Sequence, residues 1–163
     1  MKAAVVAFAF GTPNILRSNR YIAEMAAMKA GPLRVPIYTQ YDILPVADGV
    51  EIEHTPEKYP DRVPTLRIAR GAVAWALRRG IDVFWLCAAD PHLARCSRDM
   101  HYAIREANAT IEVRIVQGTS PQPIDFWFCL ESRQTDTRNQ WIWKFRDTIL
   151  MHLPMYLYSR IAS

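Results

Sequence analysis

Apolar residues recur along this chain with two different periods. Residues 3–10 form an unbroken apolar run, Ala3-Ala4-Val5-Val6-Ala7-Phe8-Ala9-Phe10, that stops at Gly11; such a run predicts a strand buried on both faces. Residues 35–40 predict a second, shorter strand, with Pro36 placing it at a sheet edge or at its own beginning. Residues 82–88 and 111–116 predict two more strands, 124–130 reads as a fifth, and a short strand fits around 50–53.

The intervening segments carry the helical period. Residues 14–30 predict a helix ended by Gly31-Pro32, and residues 65–79 one closed by Gly80. Residues 90–107 predict a third, with Leu93, Cys96, Met100, Ala103, Ile104 and Ala107 on its core face. A C-terminal helix spans about 136–160, broken or kinked at Pro154. Its stripe of Trp141, Phe145, Thr148/Ile149 and His152/Leu153 predicts a face turned to the core. Residues 41–64 are the least regular part, a long loop with Pro45, Pro56, Pro60 and Pro64 and with acids at Asp42, Asp48, Glu51, Glu53, Glu57 and Asp61. Strands alternating with helices predict a single α/β domain over 1–163, layered about a largely parallel sheet.

In such folds ligands bind beyond the carboxyl ends of the strands, where helix N-termini converge. Three helix starts carry an Arg-x-x-Arg pair in or near the opening turns: Arg17/Arg20, Arg67/Arg70 and Arg95/Arg98. Each has a capping residue ahead of it, Thr12 before Pro13, Thr65 after Pro64 and Asp90 before Pro91. A helix N-terminus is already partly positive, so arginine there calls for something anionic nearby. Of the 20 basic residues only Lys2, Lys29, Lys58 and Lys144 are lysine, and arginine suits bidentate contact with phosphate or carboxylate. An arginine-biased composition gives the same excess. There is no long basic run, and no nucleic-acid partner is predicted.

Gly11-Thr12-Pro13-Asn14 joins the first strand to the first helix, and its backbone could cradle an anion. It is neither G-x-G-x-x-G nor a P-loop, which argues against dinucleotide or ATP binding through those motifs. Asp90-Pro91-His92-Leu93-Ala94-Arg95 is the sharpest local signal. His92 falls in a first helical turn, where the dipole disfavours its charged form and leaves it able to act as acid, base or hydrogen-bond donor. Arg70 and Arg98 read as solvated surface residues. His54 sits among acids with no recognised metal-ligand spacing, and no metal is predicted. Cys87, Cys96 and Cys129 are too scattered for a disulfide framework, and the first two read as core residues of a protein in a reducing cytoplasm. No signal peptide or membrane span is read.

The order of these signals resembles the SanA/YdcF-like family over roughly residues 3–150. That family's strand-end Ser-x-x-His-x-x-Arg-Ala falls on Ala89, His92, Arg95 and Cys96, with the serine replaced. Its middle Ser-x-x-Thr motif overlaps Thr65, with Arg67-Ile68 in place of its usual Glu-Asn pair, and Arg17 or Arg20 stands for the arginine of its first helix. The resemblance implies a three-layer Rossmann-like fold with a cleft at the strand ends, nucleotide-type ligands, and for some relatives a part in envelope biogenesis. No amino-terminal anchor of the kind many relatives carry is read here.

The sequence therefore predicts an anionic small molecule (a nucleotide, S-adenosylmethionine or a sugar phosphate) held by Gly11, Thr12, Asn14, Arg17, Thr65, Arg67, Asp90 and Arg95, with His92 as the candidate catalytic group. Whether the protein is an enzyme, which cofactor it uses and its oligomeric state stay open. An alternative is a non-catalytic protein whose C-terminal aromatic helix docks a partner or a membrane surface. The basic residues Arg138, Lys144, Arg146 and Arg160 permit that without demanding it.

Overall fold

The computed structural model describes residues 1–56, 63–118 and 121–162. Five strands, β1 (Ala3–Ala7), β2 (Ile37–Thr39), β3 (Ile52–His54), β4 (Val83–Cys87) and β5 (Glu112–Ile115), form one sheet in the order β3-β2-β1-β4-β5. Every pairing is parallel, with Val5 opposite both Ile37 and Trp85. The helices are α1 (Arg17–Leu33), α2 (Thr65–Arg79), α3 (Asp90–Glu106), α4 (Gln140–His152) and α5 (Met155–Ile161).

β1 lies at the centre and is buried on both faces, as its unbroken apolar run requires. Val5 and Ala7 pack with Ile22, Ala23 and Ala26 of α1. Ala4, Val6 and Phe8 turn the other way, onto Ala69, Ala72 and Val73 of α2 and Met100 of α3. Small residues on the helices let them approach the sheet closely, and each large apolar side chain removed from water contributes about 1.5–3 kcal/mol. The result is the three-layer α/β architecture of Rossmann-like folds.

The chain winds outward from β1 to β2 to β3, then crosses back to β4 beside β1. The direction of winding reverses between β1 and β4, and a crevice opens there at the carboxyl edge of the sheet. The arm formed by α4 and α5 crosses over that edge. Trp143, near the start of α4, packs with Phe10 in the α1 layer. Leu150 and Leu153 near its end, with Met155 and Tyr158 of α5, pack in the α2–α3 layer.

The structure corrects several sequence expectations. α1 does not stop at Gly31-Pro32. Pro32 occupies its last turn, where a proline forfeits a single intrahelical bond, and Arg34 in the left-handed conformation (φ 49°) ends the helix. Residues 124–130 form no strand. Ile124–Trp127 is a 3-10 turn whose carbonyls at Asp125 and Phe126, with that of Phe128, accept hydrogen bonds from the Arg17 guanidinium instead of from a sheet neighbour. The C-terminal helix is two helices separated at Pro154, preceded by a 3-10 turn at Thr135–Thr137. Its aromatic stripe faces outward: Trp141, Phe145 and Ile149 are exposed, and Trp143 is the buried one. Pro36 immediately precedes β2, which is an inner strand. Part of the 41–64 loop, with Glu57, Lys58, Pro60 and Asp61, lies outside the described residues.

Candidate functional site

None of the three expected caps is a cap. Leu16, Pro64 and Ala89 hold the N-cap positions of α1, α2 and α3, and none of them closes the first turn with a side chain. Thr65 and Asp90 are instead the first residues inside their helices, and Thr12 lies upstream of α1, its carbonyl accepting from the Arg133 amide at 2.8 Å. Proline and alanine have no side-chain acceptor, so the tip of α2 keeps its positive polarity, while that of α3 is partly offset by Asp90 in its first turn.

Those two tips meet. The Thr65 hydroxyl lies 3.4 Å from His92 Nε2, and both residues line a cavity of about 320 Å³ at the carboxyl edge of the sheet. Its walls include Phe10 and Gly11 after β1, Gln40 after β2, and the inner faces of α4 and α5 at Trp143, Arg146, Leu150 and Tyr158.

Gly11 belongs there for a steric reason. Its φ is +86°, and a Cβ would stand 2.7 Å from both the Ser132 and Thr137 hydroxyl oxygens. Those hydroxyls bond each other at 2.6 Å and fasten the loop before α4 against the β1 turn. The close approach, more than an open cradle, is what this glycine permits.

Arg95 is the central charge. It is 4% exposed, and its guanidinium stacks over the Trp143 ring at 4.7 Å. One nitrogen donates to His92 Nδ1 at 3.2 Å. A guanidinium can only donate, so Nδ1 accepts and the ring proton resides on Nε2, facing Thr65. Trp143 meets the imidazole edge-on at 5.1 Å, and Phe10 packs against it at a tilt with ring centres 6.0 Å apart. Arg95 Nη1 lies 3.2 Å from Asp147 Oδ1, yet the pair is not closed into a hydrogen bond. Asp147 Oδ1 and Arg95 Nε both lack a hydrogen-bond partner among the described residues. Burial raises the Asp147 carboxyl above its usual range, with Arg95, Arg98 and Arg146 pulling the other way.

The cavity thus gathers Gly11, Thr65, His92 and Arg95 from the predicted set. Thr12, Asn14, Arg17, Arg67 and Asp90 are not among its lining residues. Arg17 is committed to the carbonyls of the 3-10 turn, and Arg67 and Asp90 are exposed on their helices. Nor are Arg70 and Arg98 solvated bystanders. Arg70 bridges α2 to α3 through Glu106, and Arg98 donates to the Leu150 and Met151 carbonyls at the C-terminal end of α4. The sequence reading did not place Asp147, Arg146 or Trp143 in the site, taking Arg146 as one of the basic residues of a docking helix. Their spacing with Leu150 forms a second helical stripe on α4, and that stripe is the inner one.

His54 stacks on Tyr41 at 4.6 Å, and no group of three His, Cys, Asp or Glu side chains among the described residues is placed to hold a metal. Cys87 and Cys96 are buried, and desolvation pushes the Cys87 thiol up to about 12, so both are inert packing residues. No helix among the described residues is long and apolar enough to cross a membrane. Comparison with protein-family models, with characterised proteins and with solved structures finds no match for this chain.

Proposed function

We propose that the cavity between the tips of α2 and α3 binds an anionic small molecule through Arg95. The ligand classes are a nucleotide, a sugar phosphate or S-adenosylmethionine. The observation that carries this is the incompletely paired Arg95. A guanidinium removed from water needs its donors satisfied, and Arg95 has an idle Nε and an unclosed contact with Asp147. A phosphate or carboxylate beside it completes the set through charge-assisted hydrogen bonds. The uncapped tip of α2, with no acid in its first turn, adds favourable polarity for the same group.

His92 is placed to hydrogen-bond that ligand or to exchange a proton with it through Nε2. Kinship with the SanA/YdcF-like family is part of the same proposal, since His92 and Arg95 are the motif positions that this chain keeps. A cytoplasmic protein is likewise proposed from the three reduced, buried cysteines.

A thermal-shift screen of inorganic phosphate, nucleoside monophosphates, sugar phosphates and S-adenosylmethionine tests the assignment. At least one compound is expected to stabilise the protein, by about 2.7 kcal/mol at a hundredfold excess over Kd. Arg95→Gln, which keeps a donor but loses the charge, is expected to weaken that ligand at least tenfold. If no compound stabilises the wild type, or Arg95→Gln binds as well, the proposal fails.

A further inference from the structure

α4 has two dissimilar faces. The inner one lines the cavity, while Trp141 (69% exposed), Ile142, Phe145 (72%) and Ile149 stand together on the outer one, with Lys144 beside them. α5 exposes Tyr156 and Leu157 with Arg160, while its exposed Ile161 lies at the rim of the cavity. Contiguous exposure of aromatic and aliphatic residues on two consecutive helices marks a surface that something covers.

The charges say what kind of surface. From Arg138 onward the sequence carries Arg138, Lys144, Arg146 and Arg160 against a single acid, Asp147. That acid lies 3.2 Å from Arg95 at the base of a depression shared with Trp141 and Lys144, and Arg146 pairs with Asp136 beside the cavity, so Arg138, Lys144 and Arg160 are the cations left on the outside. At the edge of the face Asp125 shares a shallow depression with Trp141 and Arg138, so the acid there is accompanied by a cation. Tryptophan and tyrosine, apolar in body and polar at one tip, settle at the boundary between lipid headgroups and acyl chains.

We infer that the outer face of α4–α5 docks on an anionic lipid surface, with Trp141 and Phe145 inserted and Lys144, Arg138 and Arg160 at the headgroups. This placement is independent of the ligand assigned to the cavity.

Co-sedimentation of the full chain with vesicles of phosphatidylcholine, and of phosphatidylcholine mixed equally with phosphatidylglycerol, tests it. Binding is expected to the mixed vesicles and to fall as salt is raised. The double variant Trp141→Ser/Phe145→Ser is expected to lose at least tenfold in binding with its melting temperature unchanged, since both side chains lie in solvent. Lys144→Glu is expected to weaken binding several-fold to the mixed vesicles alone. Equal or absent binding to the two compositions overturns the inference. So does light scattering that shows a dimer which the double variant dissociates, for then the face is covered by a second copy of the chain.

Discussion

Arg95 and Asp147 stand 3.2 Å apart without a hydrogen bond between the facing atoms. Two opposite charges brought out of water gain fully only when their donors and acceptors are aligned. Here they are held near each other by α3 and α4 and left short of closure, next to a cavity. A pair in that state leaves Arg95 with the donors that the proposed anion would complete.

Asp147→Asn therefore separates the two roles of the pair. The substitution removes the carboxylate facing Arg95 and is expected to destabilise the protein by about 1–3 kcal/mol. That is less than for a fully buried pair, because Asp147 keeps 17% of its surface. With its internal counter-charge gone, Arg95 is expected to take a greater share of its stabilisation from an added anion. Urea unfolding with and without phosphate measures this. A phosphate increment no larger than that of the wild type means that Arg95 does not face the anion.

Gly11→Ala is expected to destabilise by about 2–5 kcal/mol. A left-handed backbone costs an L-residue about 1–2 kcal/mol and overpacking adds about 1–3. The φ of +86° and the 2.7 Å approach to both Ser132 and Thr137 act together. Ser132→Ala/Thr137→Ala in the same background is expected to recover part of the loss by making room. Denaturant titration of the wild type and the two variants checks the order.

These residues show how far the sequence could be read. β1, α2 and α3 were legible because each is specified locally, by an unbroken apolar run or by a helical period closed at Gly80. The convergence of Gly11, Thr65 and His92 was legible because parallel α/β connectivity brings every strand end to one edge. The outward stripe of α4 was not. A period of Trp141, Phe145 and Ile149 is the same whichever way it faces, and the choice is made by Trp143 wedging between Phe10 and His92. The caps misled because Thr and Asp near a helix start satisfy the pattern one position inside the helix as well as at its cap. Asp147 was invisible because its partner, Arg95, is remote in the chain.

Asp42 gives the protein a pH dependence of definite sign. Burial raises its carboxyl to about 6, against a smaller opposing pull from Arg133. The folded state then holds a proton that the unfolded chain, with a value near 3.8, has released. Stability from this group is complete below the unfolded value and is lost as pH rises through about 6. Asp42→Asn is expected to flatten the stability profile over that window. It should leave the protein more stable at neutral pH by about 1 kcal/mol, a figure discounted for the water that still reaches the side chain. Unfolding free energies measured from pH 4 to 8 decide it, and an unchanged slope in Asp42→Asn refutes the assignment.

A buried polar cluster at Asp99 helps to fasten the arm over the cavity. The Tyr158 hydroxyl donates to Asp99 Oδ2 at 2.5 Å, and Arg98 pairs with the other Asp99 oxygen at 3.0 Å while donating to carbonyls at the end of α4. Desolvation, with Asp99 beside it, pushes the Tyr158 hydroxyl above its ordinary range, so it remains a donor throughout the physiological window. Tyr158→Phe preserves the ring that Arg98 covers at 4.2 Å and deletes only the hydrogen bond. The expected cost is about 1–3 kcal/mol, because the buried Asp99 loses a donor but keeps Arg98. The expected location of the effect is the sharper test. Amide hydrogen exchange should quicken in α5 and at the end of α4, where the arm is tied down, and stay unchanged in β1 and β4. A uniform acceleration across the sheet would show that the cluster supports the whole fold and does not specifically hold the arm over the cavity.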